Sequence, residues 1–177
     1  TVREAVSYTP NLVAPTTNQP STQTFYLRGI GEPDPFQESA IAVYSDDVLL
    51  PRPLNSNLYF DDVERIEVLR GPQGTLYGRN SSAGAVRIIS HEPNGTAEGS
   101  ASIGLGNYNA KETRAHLSGS LGNDLYGSLS FVNLERDGAV WNDTLKKKVG
   151  NLNLTAVRAK LRYKPNDDLD VLFSLWG

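Results

Sequence analysis

From Gly95 onward the sequence repeats with a period of two, and this alternation constrains the fold more than any other feature. In "TAEGSASIGLG" the odd positions Ala97, Gly99, Ala101, Ile103 and Leu105 are apolar or small, while the even positions include Glu98, Ser100 and Ser102. In "TRAHLSGSL" Ala115, Leu117 and Leu121 alternate with Arg114, His116, Ser118 and Ser120. Leu125, Leu129 and Phe131 share one face of the next segment. Val157, Ala159, Leu161 and Tyr163 then oppose Arg158, Lys160, Arg162 and Lys164, and Leu169, Val171, Phe173 and Leu175 alternate with Asp170 and Ser174. Successive side chains of a β-strand point to opposite faces, so each segment is a strand with one apolar face.

The connectors differ in length. "GNYN", "GND" at 122–124 and "PNDD" at 165–168 are short, whereas residues 137–152 form a long polar connection. Tight turns at one end and longer loops at the other fit a transmembrane barrel; an antiparallel sheet in a soluble sandwich fits the alternation as well. No apolar run reaches the roughly 20 residues of a helical span, but barrel strands need only about 9–11. The sequence starts at Thr1 without an initiator Met or a charged-then-apolar leader, which reads as a processed chain or a piece of a longer one.

Residues 1–93 have a different character and hold nine of the ten prolines. "TVREAVSY" has Val2, Ala5 and Val6 at helical spacing behind a capping Thr1. "TFYLRGI" reads as a strand and "IAVYSDDVLL" as a hairpin turning at Ser45-Asp46-Asp47, without the usual turn glycine. "LNSNLYFDDV" reads as a helical turn before the strand Arg65–Arg70, in which Ile66 and Val68 face one way and Arg65 and Glu67 the other. Gly71-Pro72 stops that strand, with Pro72 suited to the first turn of a short helix and Gly78 to its left-handed end. A return strand follows from Ala85 to Ile89, and the small Gly84 and Ala85 let backbone pass close by.

Composition removes several classes of function. There is no cysteine, so disulfides, thiolate metal sites and cysteine nucleophiles are excluded. Seventeen Lys and Arg against twenty Asp and Glu leave a net charge of -3, with no basic excess for nucleic acid or a lipid-surface patch. "GPQGTLYGRN" lacks the Lys-Ser or Lys-Thr of a phosphate loop, and "GLGNYN" lacks the third glycine of a dinucleotide fingerprint. Ser81 and Ser82 follow no nucleophile-elbow pattern, and His91 and His116 have no second metal ligand at useful spacing. "KKK" at 146–148 reads as solvated. The expectation is no catalytic residue, no metal and no cofactor.

The stretch "RIEVLRGPQGTLYGRNSSAGAVRIIS" at 65–90 closely resembles the plug of the TonB-dependent outer-membrane receptors. Upstream pieces fall in that family's order: "TPNLV", "FYLRGIG" and the "IAVYSDDVLL" hairpin, with "HEPN" at 91–94 as the exit. The residues that carry the resemblance are Arg28, Gly29, Asp46, Arg65, Glu67, Arg70, Gly71, Pro72, Tyr77, Gly78 and Gly84. Asp47, Asn11 and Arg87 depart from the family pattern, standing where a turn Gly, an early Gly and an Asn are usual.

The resemblance implies an α+β plug (a small mixed sheet with short helices) in residues 1–93. Residues 94–177 would then be the first five or so antiparallel strands of a large transmembrane β-barrel. Five strands cannot close, so it also implies a piece of a longer protein lacking about 17 strands of a 22-stranded barrel, and an upstream energy-coupling box. The implied function is active uptake of a scarce bulky nutrient, by default a ferric siderophore, across the bacterial outer membrane. The implied partners are TonB with ExbB and ExbD, an extracellular chelate and outer-membrane lipid. Arg65, Glu67 and Arg70 would face charges of the barrel wall. The connectors "EPDPFQES" and "LPRPLNSN" would rise toward substrate, making Phe36, Gln37, Arg52, Asn55 and Asn57 candidate contacts. The rival is a soluble β-rich binding or adhesion module, in which the odd-position face packs against a second sheet of the same chain.

Overall fold

The computed structural model describes residues 8–15, 24–32, 37–50 and 62–177. The expected helix at the N-terminus and the turn over "LNSNLYF" lie outside these residues. The chain divides into two compact units, Thr1–Tyr59 with Val63–His91, and Phe60–Asp62 with Glu92–Gly177.

The first unit holds two sheets. The smaller consists of β1 (Leu12–Val13), β2 (Tyr26–Leu27) and β3 (Ile30–Gly31) in that order. "TFYLRGI" is thus two short strands rather than the single one expected. Leu27 pairs with Ile30 across a two-residue turn whose Arg28 and Gly29 both take positive φ, at 53° and 79°. Asn11, in place of a glycine, also adopts positive φ, which asparagine tolerates better than most residues, and its carbonyl accepts the Arg28 N–H at 2.9 Å.

The larger sheet contains β4 (Ile41–Ser45), β5 (Val48–Leu50), β6 (Val63–Arg70) and β7 (Gly84–Ser90), ordered β5-β4-β7-β6. β4 and β5 form the expected hairpin, β4 runs parallel to β7, and β6 runs antiparallel to it. The core is Leu12, Phe25, Leu27, Ile41, Val43, Ala83, Val86 and Ile88, with Ile66 and Val68 of β6 packed against it. This is the face that alternation assigns to Ile66 and Val68.

Between β6 and β7 lies a single four-residue helix, α1 (Gly74–Tyr77). Pro72 precedes its N-cap Gln73 and is not in its first turn, contrary to expectation. The backbone explains the offset: the Gln73 N–H is bonded to the Ser81 carbonyl at 2.9 Å, which fixes where the turn begins. Gly78 closes the helix with φ 65° and donates its N–H to the Gly74 carbonyl. Gly84 needs its missing side chain, because a Cβ there would collide with the Leu69 carbonyl oxygen and stand 2.7 Å from Leu27 Cδ2.

The second unit is dominated by a five-stranded antiparallel meander. Its strands are β8 (Glu98–Gly106), β9 (Ala110–Gly122), β10 (Leu125–Arg136), β13 (Leu152–Tyr163) and β14 (Val171–Trp176), each paired with its neighbour in sequence. The long connection between β10 and β13 carries a small hairpin of its own, β11 (Val140–Asn142) and β12 (Lys147–Val149). The odd-position face is open: Ile103 is 79 %, Leu117 62 % and Phe173 63 % exposed. On the even face Ser130, Arg158 and Lys160 are buried. Val132 and Leu134, also on the even face, are buried apolar residues that alternation alone does not single out.

Candidate functional site

Arg87, at the centre of the larger sheet of the first unit, organises that sheet's polar face. Register places Tyr44, Arg87 and Glu67 in one cross-strand row over β4, β7 and β6. One guanidinium nitrogen of Arg87 bonds Glu67 Oε2 at 2.7 Å and the other bonds Asp47 Oδ1 at 2.6 Å. The guanidinium carbon lies 6.0 Å from the centre of the Tyr77 ring, and Tyr77 meets Tyr44 edge-on at 5.5 Å. The Tyr44 hydroxyl donates to the Tyr77 carbonyl at 2.7 Å. Arg87 thus joins the hairpin turn, two strands and α1 through charge-assisted hydrogen bonds and a cation–π contact.

Arg65 Nε donates to Glu67 Oε1 at 2.9 Å, and Arg65 Nη1 to Glu64 Oε1 at 2.6 Å. Among the described residues, Arg65 and Glu67 thus pair within their own sheet. Alternation puts Arg65 and Glu67 side by side on β6, and β7 presents Arg87 opposite Glu67. The Arg65 hydrogen bond is the main influence holding the Glu67 carboxyl below the ordinary carboxylate range; partial burial opposes it and Arg87 adds to it. Hydrogen bonding to Asp47 chiefly raises Arg87 above its ordinary value.

The hairpin turn is fastened as well. Asp46 and Asp47 take φ of 46° and 66°, so two aspartates adopt the left-handed geometry that usually calls for glycine. The Asp46 carboxylate accepts the Ser90 N–H at 2.8 Å and the Ser90 hydroxyl, and the Asp46 N–H donates to the Ile88 carbonyl. Gly71 turns the chain at φ 89° and donates its N–H to the Ala83 carbonyl, while the exposed Arg70 ends β6. The glycine-rich stretch is bonded to itself and to the chain just ahead of β4: Ser81 Oγ donates to the Gly78 carbonyl at 2.6 Å, and the Ala83 N–H donates to the Ala40 carbonyl at 3.0 Å.

Of the candidate substrate contacts, Gln37 is exposed just ahead of β4, while Phe36, Arg52, Asn55 and Asn57 lie outside the described residues. Among the described residues no group of three or more His, Asp or Glu is arranged to hold a metal ion.

In the second unit, His116, Ser130 and Arg158 occupy one row across β9, β10 and β13. Arg158 donates to Asp62 Oδ1 at 2.7 Å, and Ser130 Oγ donates to Asp62 Oδ2 at 2.9 Å. His116 Nδ1 lies 2.9 Å from Ser130 Oγ. Sequence reading missed this group, because Asp62 and Arg158 are 96 positions apart and nothing local links them.

Residues 1–85 match the family described as the TonB-dependent Receptor Plug Domain. The chain is 32% identical over 148 residues to a pesticin receptor of Yersinia enterocolitica, covering 81% of this chain and 22% of that protein. It is 34% identical over 128 residues to the ferrioxamine B receptor of Salmonella typhimurium, covering 68% of this chain and 17% of that one. Among solved structures it is similar to the ferric yersiniabactin uptake receptor FyuA from Yersinia pestis. The TM-score is 0.83 and the identity 28%, over 93% of this chain and 26% of that one. The pyoverdine outer membrane receptor FpvA from Pseudomonas aeruginosa shares the fold at TM-score 0.79 and 16% identity, over 99% of this chain and 24% of that one. These relatives are transport receptors rather than enzymes, and the chain spans about a fifth of the length of the curated ones. The chain belongs to the TonB-dependent receptor family, with the plug-domain match in residues 1–85.

Proposed function

We propose that this chain is the plug and the first wall strands of a bacterial outer-membrane receptor that imports a bulky chelate, by default a ferric siderophore, driven by TonB with ExbB and ExbD. The observation that carries this reading is the likeness to the FyuA structure, which extends over 93% of the chain and so takes in the strand meander as well as the plug. The open odd-position face adds physical support. A row such as Ile103, Leu117 and Phe173, exposed on one face of long strands, suits contact with lipid hydrocarbon. The rival soluble module calls for a second sheet over that face, and among the described residues none covers it.

In this reading the plug gates the lumen, no bond of the cargo is broken, and iron is part of the cargo rather than a resident cofactor. Phe36, Gln37, Arg52, Asn55 and Asn57 are proposed to meet the chelate: an apolar platform, amides and one cation for an anionic ligand. The test is uptake of labelled chelates by cells carrying the full-length gene, with and without TonB. TonB-dependent accumulation of one chelate is expected, and its absence across a broad chelate set would overturn the proposal. Arg52→Ala and Asn55→Ala should weaken binding of that chelate with the fold intact; unchanged affinity in both would return these loops to a structural role.

A further inference from the structure

The buried group around Asp62 has no part in the reading above. Its geometry is that of a closed hydrogen-bond row. Ser130 sits between its cross-strand neighbours His116 and Arg158, all three on the even face of the meander. The side chains of Asp62 and Arg158 are each only 1% exposed. A serine hydroxyl has one proton, and Ser130 directs it to Asp62, so His116 must donate from Nδ1 to the Ser130 oxygen. Both Asp62 oxygens are thus engaged, one by a guanidinium and one by a hydroxyl held from behind by the histidine. A cavity of about 240 Å³, lined by polar residues such as Ser100, Arg114 and His116 and by apolar ones such as Phe131 and Val132, adjoins the row.

The position of Asp62 in the chain gives this row its meaning. Asp62 belongs to the unit of the meander, and the next residue, Val63, opens β6 of the other unit. We infer that Asp62 is a fixed anchor: the row His116–Ser130–Arg158 holds the chain to the strand sheet at the residue before β6, and the anchor stays closed through the transport cycle. Breaking the contact would leave a carboxylate and a guanidinium both buried without each other, the costly state for a buried ion pair. A contact meant to open in each cycle would be expected at an exposed site, where water replaces the lost partner.

The anchor is tested in the full-length receptor by hydrogen exchange at residues 62–66. Asp62→Asn and Arg158→Met should each speed exchange there by about a hundredfold, with β9 and β10 amides unchanged. Ser130→Ala, a milder change in case Arg158→Met fails to fold, should speed it by about tenfold. Unchanged exchange at 62–66, or an equal rise throughout the meander, would overturn the local anchor. A second arm joins Asp62→Cys to Ser130→Cys with a short thiol-reactive linker. Its interpretation rests on the proposed function. Uptake matching the unlinked cysteine pair is expected, and a block on linking would overturn the fixed anchor. If the unmodified receptor imports no chelate, the proposed function fails while the exchange arm still decides the anchor.

Discussion

Replacing Gly84 by alanine would put a methyl group into space already filled by two neighbours. The new Cβ would meet the Leu69 carbonyl oxygen and come within 2.7 Å of Leu27 Cδ2. Leu27 could shift slightly, but Leu69 is in β6, whose ladder to β7 pairs it with Ala85, the residue next to the substitution. The backbone oxygen therefore cannot retreat without loosening the sheet. Gly84 also has φ of 155°, a conformation that side chains rarely adopt. Backbone strain of about 1–3 kcal/mol and overpacking of about 1–3 kcal/mol give a central value of about 4 kcal/mol, or roughly 800-fold in the opening equilibrium. The assay is hydrogen exchange of β6 and β7 amides in the full-length receptor. Gly74→Ala is the matched control, since that site is open and helical, where alanine is neutral or stabilising by up to about 1 kcal/mol. If Gly84→Ala exchanges like Gly74→Ala, the close-approach reasoning is wrong.

Further outcomes follow from the same contacts. Asp46→Ala removes two acceptors from Ser90 and should destabilise the hairpin by about 1–3 kcal/mol, read as faster exchange at β4 and β5, while Asp46→Asn keeps part of that stability. Glu67 has a folded pKa below its unfolded value, so its pairing stabilises the sheet above about pH 4.3 and that contribution is lost as pH falls through the folded pKa. The stability gap between wild type and Glu67→Gln should therefore shrink on acidification; a gap that widens would contradict the pairing. Leu117→Arg, on the open face, should cost about 2–4 kcal/mol of folding stability in lipid vesicles if that site lies near the bilayer midplane. No cost would favour an aqueous setting for that face.

The strands of the meander were legible because period-two alternation is a local property, and register preserved it over all five. The Asp46-Asp47 turn was legible from its position between apolar runs, without a glycine to mark it. Pairing between distant strands was not legible. Arg87 gains its role from lying beside Tyr44 through a parallel pairing and beside Glu67 through an antiparallel one, and neither pairing is written near residue 87. Asp62 and Arg158 were hidden for the same reason. The β11–β12 hairpin escaped notice because strands of three residues are too short to display a period.

The two sheet orders also set different timetables for folding. Each strand of the meander pairs with its predecessor in that sheet, so the sheet can grow one hairpin at a time, the longest connection to close being residues 137–151 between β10 and β13. The larger sheet of the first unit cannot be built that way. Its third strand in space, β7, is its last in sequence, and it supplies the pairings of both β4 and β6. The contact of Ile41 with Gly84 spans more than forty residues. Until β7 arrives, the β4–β5 hairpin and β6 have no common partner, and the apolar faces of Val43 and Ile66 lack the strand between them. The first unit is thus the slow step of its own assembly, with high contact order concentrated in one strand. A chain stopped just short of Gly84 would hold the residues of three strands of that sheet and almost none of its cohesion.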